Sequence, residues 1–282
     1  MIETKEEPYK KVFTRYVPLG VVVGIIPWNY PVFLAIGKLG PAVLTGNAII
    51  LKPSPFTSYS ALKIAELAQN FFPHGVVQAI AGDDSLGPLL TAHPGVHKIS
   101  FTGSTTTGKR VMESCAKTLK RVTLELGGND AAIVCADVDP DDVGPKIAQL
   151  ALANSGQICI AIKRVYVHET VYPRVLSSMV DFINKMKVGD GSDETVSLGP
   201  VTNSLQYDVV KGLLADIDAQ KHKLATGSTK PLETVGKGYF ISPTVVDNPP
   251  DSSRIVREEP FGKPDCSSRM PMIASFAIGS SC

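Results

Sequence analysis

The sequence predicts an α/β protein of two domains, and three observations predict it. Between residues 20 and 129, short β-branched runs alternate with helical segments, the pattern of a parallel sheet covered by helices. Gly127-Gly128 interrupts that series and reads as a hinge between domains. The chain has 282 residues, 44% hydrophobic and 20% charged, which is enough for two domains and a sizeable core.

Composition removes several function classes. The 28 basic and 27 acidic residues leave a net charge of +1. No basic stripe with interleaved aromatics appears, so a nucleic-acid partner has no electrostatic footprint. The mixed, acidic stretch from Met1 to Glu7 lacks the apolar centre of a secretory signal. The longest apolar run, 19–26, stops at Pro27, well short of a membrane span. Five cysteines (Cys115, Cys135, Cys159, Cys266, Cys282) form no C-x-x-C pair and no cluster with histidine. No metal site is predicted, and the odd, scattered set fits a reducing, cytoplasmic compartment.

In chain order, 20–26 is a β-branched run with two glycines and reads as a buried strand. Pro27-Trp28-Asn29-Tyr30-Pro31 ends it in a stiff loop at the strand's carboxyl edge, where open α/β sheets bind ligands; from spacing alone an ordinary strand-to-helix turn is the favoured reading. A helix over 33–44, bent at Pro41, is expected next, and Thr45-Gly46-Asn47 stops it. Residues 48–52 form a second strand ending in Lys52. Residues 58–68 form an amphipathic helix with Ala61, Ile64, Ala65 and Ala68 on one face. Strands over 76–82 and 96–101 flank a short helix at 86–91. Residues 102–108 form a glycine-bearing turn into a helix over 109–117, a plausible cradle for a phosphate that lacks the G-x-G-x-x-G fingerprint. Glu125 stands in an apolar run beside Gly127-Gly128; it is either a partly desolvated base or a strand glutamate facing water.

Beyond the hinge, 131–135 reads as a strand and 139–153 as a helix. Asp139 caps that helix, Pro140 opens it, and Val143, Ile147, Leu150 and Ala151 form its apolar face. The helix delivers Asn154-Ser155-Gly156-Gln157-Ile158-Cys159. A cysteine at a helix-to-strand junction, flanked by glycine and small polar groups, can expose its sulfur to backbone N–H donors, as a nucleophilic thiolate requires. A lone cysteine is by default a core residue. Strand 165–167, helices over 171–187 and 207–220, and strands over 223–225 and 239–246 complete the series.

Six stretches, in order, carry a family resemblance: Pro27-Trp28-Asn29-Tyr30-Pro31, Lys52-Pro53-Ser54, Phe101-Thr102-Gly103-Ser104, Leu124-Glu125-Leu126-Gly127-Gly128, Gly156-Gln157-Ile158-Cys159 and Glu259-Pro260-Phe261-Gly262. Together they closely resemble the NAD(P)-dependent aldehyde dehydrogenase superfamily over about Tyr16 to Gly262. The resemblance implies a Rossmann-like cofactor domain (1–127) and an α/β catalytic domain (128–262), both incomplete, followed by an unrelated tail (263–282). It implies a homo-oligomer whose pairing strands are missing here.

The resemblance also implies roles. Cys159 would attack the aldehyde carbonyl. The Asn29 side-chain amide and the Cys159 backbone N–H would hold the oxyanion. Glu125 would activate the water that hydrolyses the thioester to a carboxylic acid. NAD or NADP would be held by Lys52 at the adenosine ribose, with Ser54 also binding the cofactor. Trp28, Gly103 and Ser104 would line the pyrophosphate, and Glu259 and Phe261 would hold the nicotinamide end.

Two departures stand out. Pro55 occupies a position where many NAD-preferring members carry a glutamate, so tolerance of NADP is expected. Residues 263–282, rich in Ser, Met and Cys, resemble nothing in the family and show neither helix nor strand period. An inactive truncated product that binds nucleotide or a partner subunit is therefore the alternative to an active dehydrogenase. A cofactor-free thiol hydrolase is a third reading, weakened by the 103–108 turn and by Glu259-Pro260-Phe261-Gly262. Ile158 and Ile160 hint at an apolar aldehyde.

Overall fold

The computed structural model describes residues 2–230, 232, 238–262 and 264–270. Two units divide between Leu126 and Gly127, one residue before the predicted boundary.

The first unit opens with an antiparallel hairpin, β1 (Ile2–Glu7) and β2 (Lys10–Arg15), which the sequence reading did not anticipate. Its main sheet contains β3 (Val21–Ile25), β4 (Ala48–Lys52), β5 (Val77–Ala79), β6 (Lys98–Thr102) and β7 (Arg121–Glu125), all parallel, in the order β5-β4-β3-β6-β7. Helices α1 (Pro31–Leu44), α2 (Ser58–Ala68), α3 (Leu86–Ala92) and α4 (Thr105–Ala116) make the connections. Consecutive residues Val22 and Val23 on β3 point to opposite faces and both are buried. Val22 joins Leu39, Ile49 and Ala61 on one side, and Val23 joins Ile99, Phe101 and Val111 on the other. A strand covered on both faces accounts for the unbroken β-branched run.

β4 and α2 fall where the pattern placed them, while the strand expected over 76–82 shortens to Val77–Ala79 and, in the second unit, the one expected over 239–246 is Thr244–Asp247. Pro41 lies inside α1, whose buried Ala35, Leu39 and Ala42 form one stripe. Gly46 then takes the left-handed conformation at φ 79°. The helix expected from residue 109 begins four residues earlier. Ser104 Oγ accepts from Thr107 N at 3.2 Å, and this cap outweighs the low helix propensity of three consecutive threonines.

The second unit contains β8 (Asp130–Val134), α5 (Pro140–Leu152), β9 (Ile162–His168), α6 (Tyr172–Ile183), α7 (Ser204–Ala219), β10 (Leu224–Thr226), β11 (Thr244–Asp247), α8 (Arg254–Arg257) and β12 (Pro264–Met270). Their sheet runs β10-β11-β12-β9-β8. Asp139 caps α5 as expected, accepting from Asp141 N at 3.0 Å. Leu150 is not on its buried face: it is exposed, because the stripe runs through Ile147, Ala148, Ala151 and Leu152. The tail was expected to have no strand, yet residues 264–270 pair in parallel with both β11 and β9. Backbone hydrogen bonding to two neighbours forms that strand without a periodic side-chain pattern. The rest of the tail lies outside the described residues.

Candidate active site

In the first unit, the chain runs from β3 outward to β4 and β5, then returns to the other side of β3 for β6 and β7. The strand order therefore reverses between β3 and β6, and the carboxyl edge at such a reversal is a ligand crevice. Trp28 and Asn29 follow β3 there, and Gly103 and Ser104 follow β6. Lys52 ends β4 and Glu125 ends β7. Ser54 also follows β4, but its hydroxyl accepts from Phe56 N at 3.3 Å and caps a short 3-10 turn, Pro55–Thr57.

Each of these positions has a local cause. Gly103 is required because a Cβ there would lie 2.6 Å from the Phe101 ring. The first-turn N–H groups of α4 have no partner within the helix, and no acidic residue occupies that turn. Glu125 is exposed. The partial desolvation considered for it is absent because β7 is the outer strand of its sheet.

Lys38, which the sequence reading did not single out, shares a cavity of 450 Å³ with Glu125. Its ammonium donates to Thr102 Oγ1 at 2.8 Å and to Ser100 Oγ at 3.3 Å. Burial pushes its pKa down to about 8, against the opposing pull of the Glu125 carboxylate.

In the second unit, Cys159 sits on a turn between α5 and β9, half-buried and not in a disulfide. The approach is unusual backbone: Asn154, Ser155 and Gly156 have φ of 50°, 57° and 74° in succession. Non-glycine residues in this region carry conformational strain. Three glycines let other segments come close to the turn. A Cβ on Gly156 would fall on the Gly262 carbonyl oxygen, one on Gly128 on the Cys159 carbonyl oxygen, and one on Gly127 on the Glu259 carboxylate. The diglycine is thus a place of close approach as well as a boundary.

Lys163 ties these segments together. It is 1% exposed. Its Nζ donates to the Gly156 carbonyl at 2.5 Å and lies 5.9 Å from the centre of the Phe261 ring. Lys163 was missed, although β9 alternates strictly and places it on the buried phase with Val165 and Val167. Glu259 is half-buried, and burial pushes its pKa up, opposed by the Gly128 N–H and by Lys163. Its Oε1 is buried without a hydrogen-bond partner.

The first unit is a doubly wound sheet with an anion-ready edge, and the second carries a thiol on a braced turn. Together these define a nucleotide-binding α/β unit joined to a thiol unit. Residues 1–263 match the aldehyde dehydrogenase family, and the chain belongs to that family. It is 43% identical over 261 residues to the putative aldehyde dehydrogenase FUS7 of Gibberella moniliformis, covering 92% of this chain and 54% of that protein. The putative aldehyde dehydrogenase DhaS of Bacillus subtilis is 40% identical over 252 residues, 89% of this chain and 50% of its own length. Among solved structures, an aldehyde dehydrogenase C variant of Pseudomonas syringae, complexed with NAD+ and octanal, aligns at a TM-score of 0.88 and 32% identity, over 91% of this chain and 53% of that one. An NADP-dependent enzyme of E. coli aligns at 0.91 and 34%, over 96% and 56%. The chain spans about half the length of the curated relatives it matches.

The family implies a nicotinamide dinucleotide, and the residues present fit one. Glu259 Oε1, buried without a hydrogen-bond partner, has the free acceptor capacity that a ribose hydroxyl requires. The open first turn of α4 suits a pyrophosphate. No group of three or more His, Cys, Asp or Glu among the described residues could hold a metal ion. No helix among them is long and apolar enough to cross a membrane.

Proposed function

We propose that the chain carries the chemistry of NAD(P)-dependent oxidation of an aldehyde to a carboxylic acid. Cys159 attacks the carbonyl as thiolate and forms a thiohemiacetal. The Asn29 amide and the Cys159 N–H stabilise the oxyanion, where preorganised donors contribute most. Bound nicotinamide supplies the hydride acceptor, and the acyl group remains on Cys159 as a thioester. Glu125 accepts a proton from water, which hydrolyses that thioester. Lys52 and Ser54 would hold the adenosine end of the dinucleotide. Trp28, Gly103 and Ser104 serve the pyrophosphate, and Glu259 and Phe261 serve the nicotinamide end.

The observation that carries this reading over a simple thiol hydrolase is the packing around Cys159. The segment from Glu259 to Gly262 touches the nucleophile's own turn at Gly156 and is bridged to it by Lys163. A hydrolase has no use for a carboxylate held there with one oxygen, Oε1, unpartnered. The test is formation of reduced nicotinamide from an aliphatic aldehyde and NAD+, with the acid as co-product. Acid formed without nicotinamide reduction would refute it.

A further inference from the structure

A second cavity in the first unit, of 510 Å³, has Lys52 in its wall together with Asp84, Thr107 and Arg110. Lys52 is 6% exposed; its backbone carbonyl accepts from Ile26 N at 2.9 Å, and its ammonium makes no hydrogen bond or ion pair among the described residues. Burial pulls its pKa down, and the carboxylates of Asp84 and then Asp83 act against that. The charges that act most on Lys52 from outside are therefore acidic, although Arg110 and Glu113 of α4 and Lys117 just after it also line the cavity.

The two aspartates are used differently. Asp83 Oδ1 accepts from Ser85 N at 2.9 Å and from Ser85 Oγ at 2.6 Å, so its carboxylate closes the local turn. Asp84 is exposed, has no such bond, and lines the cavity. Its loop follows β5, and β5 is the direct neighbour of β4, which ends in Lys52. A carboxylate thus reaches the Lys52 side from the β5 loop although position 55 offers only proline, so the tolerance of NADP expected from Pro55 does not follow.

We propose that Asp84 is the specificity-determining residue for the dinucleotide: its carboxylate accepts from the adenosine ribose 2′-hydroxyl beside Lys52 and repels a 2′-phosphate, so that NAD is taken in preference to NADP. The inference rests on the assignment of Lys52 to the adenosine ribose made above. Its chemistry is general. A carboxylate suits a ribose diol, whereas a phosphate dianion needs a cation whose charge is not already offset.

Trp28, the chain's single tryptophan, stands on the same sheet edge and supplies a binding signal independent of turnover. NAD+ and NADP+ are titrated separately against wild type, Asp84→Asn and Asp84→Ser, with calorimetry as a second readout. The expected result is roughly tenfold or more tighter binding of NAD+ by wild type, since a like-charge contact is costly. Both variants should narrow that ratio, chiefly by tightening NADP+. Equal affinities in wild type, or a ratio unchanged in both folded variants, would overturn the role of Asp84 and leave dinucleotide binding intact. Failure of folded wild type to bind either nucleotide would overturn the assignment of the cavity itself, and the inference with it.

Discussion

Lys163 Nζ and the Gly156 carbonyl oxygen, seven residues apart, are joined by a buried hydrogen bond of 2.5 Å. Gly156 ends three successive left-handed residues, so its carbonyl points where no regular secondary structure can satisfy it. The ammonium supplies the partner and leans on the Phe261 ring. Lys163→Met keeps the volume and removes the donor. We expect a loss of about 1.5–3 kcal/mol in urea unfolding, the usual range for a hydrogen bond to a charged group. Alkylation of Cys159 should also slow, because its turn loses a tether. Unchanged stability together with unchanged alkylation would show that the turn holds itself.

Gly128 lies under the Cys159 carbonyl. Gly128→Ala places a methyl group against backbone that cannot rotate away. A destabilisation of about 1–3 kcal/mol is expected from overpacking. Cys159 reactivity should fall further than it does for Gly199→Ala, where a Cβ meets nothing within 4 Å. Equal effects at the two glycines would remove the close approach from the account.

Lys38 gives a pH signature. Its folded pKa, about 8, lies below its ordinary value of 10.5. Between those values the unfolded chain binds more protons, so this group's contribution to stability rises with pH from about 8 to about 10.5. Below pH 8 it carries the full cost of a buried charge. Lys38→Met should therefore gain most stability relative to wild type at neutral pH, and the advantage should shrink above pH 8. Competitive acylation should titrate Lys38 near 8. Glu125→Gln should move that midpoint lower, because the Glu125 charge raises it. A midpoint unaffected by Glu125→Gln would separate the two groups.

Much of the fold is written in periodicity. β4 and α2 coincide with their patterns because one is a β-branched run and the other a stripe of alanines, each bounded by turn residues. What was illegible depended on partners remote in sequence. Residues 264–270 form a strand through their two neighbours and not through their own composition. Leu150 looked like core but falls about 100° away from the stripe that packs. For the site, the surrounding motifs are what single out Cys159, Asn29 and Glu125, and the roles proposed for them rest on those motifs. Lys163 was legible only by counting the phase of β9, and Lys38, on α1, not at all, since its meaning comes from Thr102 on β6 and Glu125 on β7. Asp84 required the sheet order, which sets the β5 loop beside Lys52.

The central claim is that Cys159 carries an acyl group that Glu125 helps to release. The most direct measurement is intact-protein mass after mixing Glu125→Gln with NAD+ and an aliphatic aldehyde. The account predicts one equivalent of reduced nicotinamide formed in a burst, slow turnover afterwards, and an acyl adduct on Cys159 that is absent in Cys159→Ser. Full steady-state turnover by Glu125→Gln without an adduct, or turnover by Cys159→Ser, would contradict it.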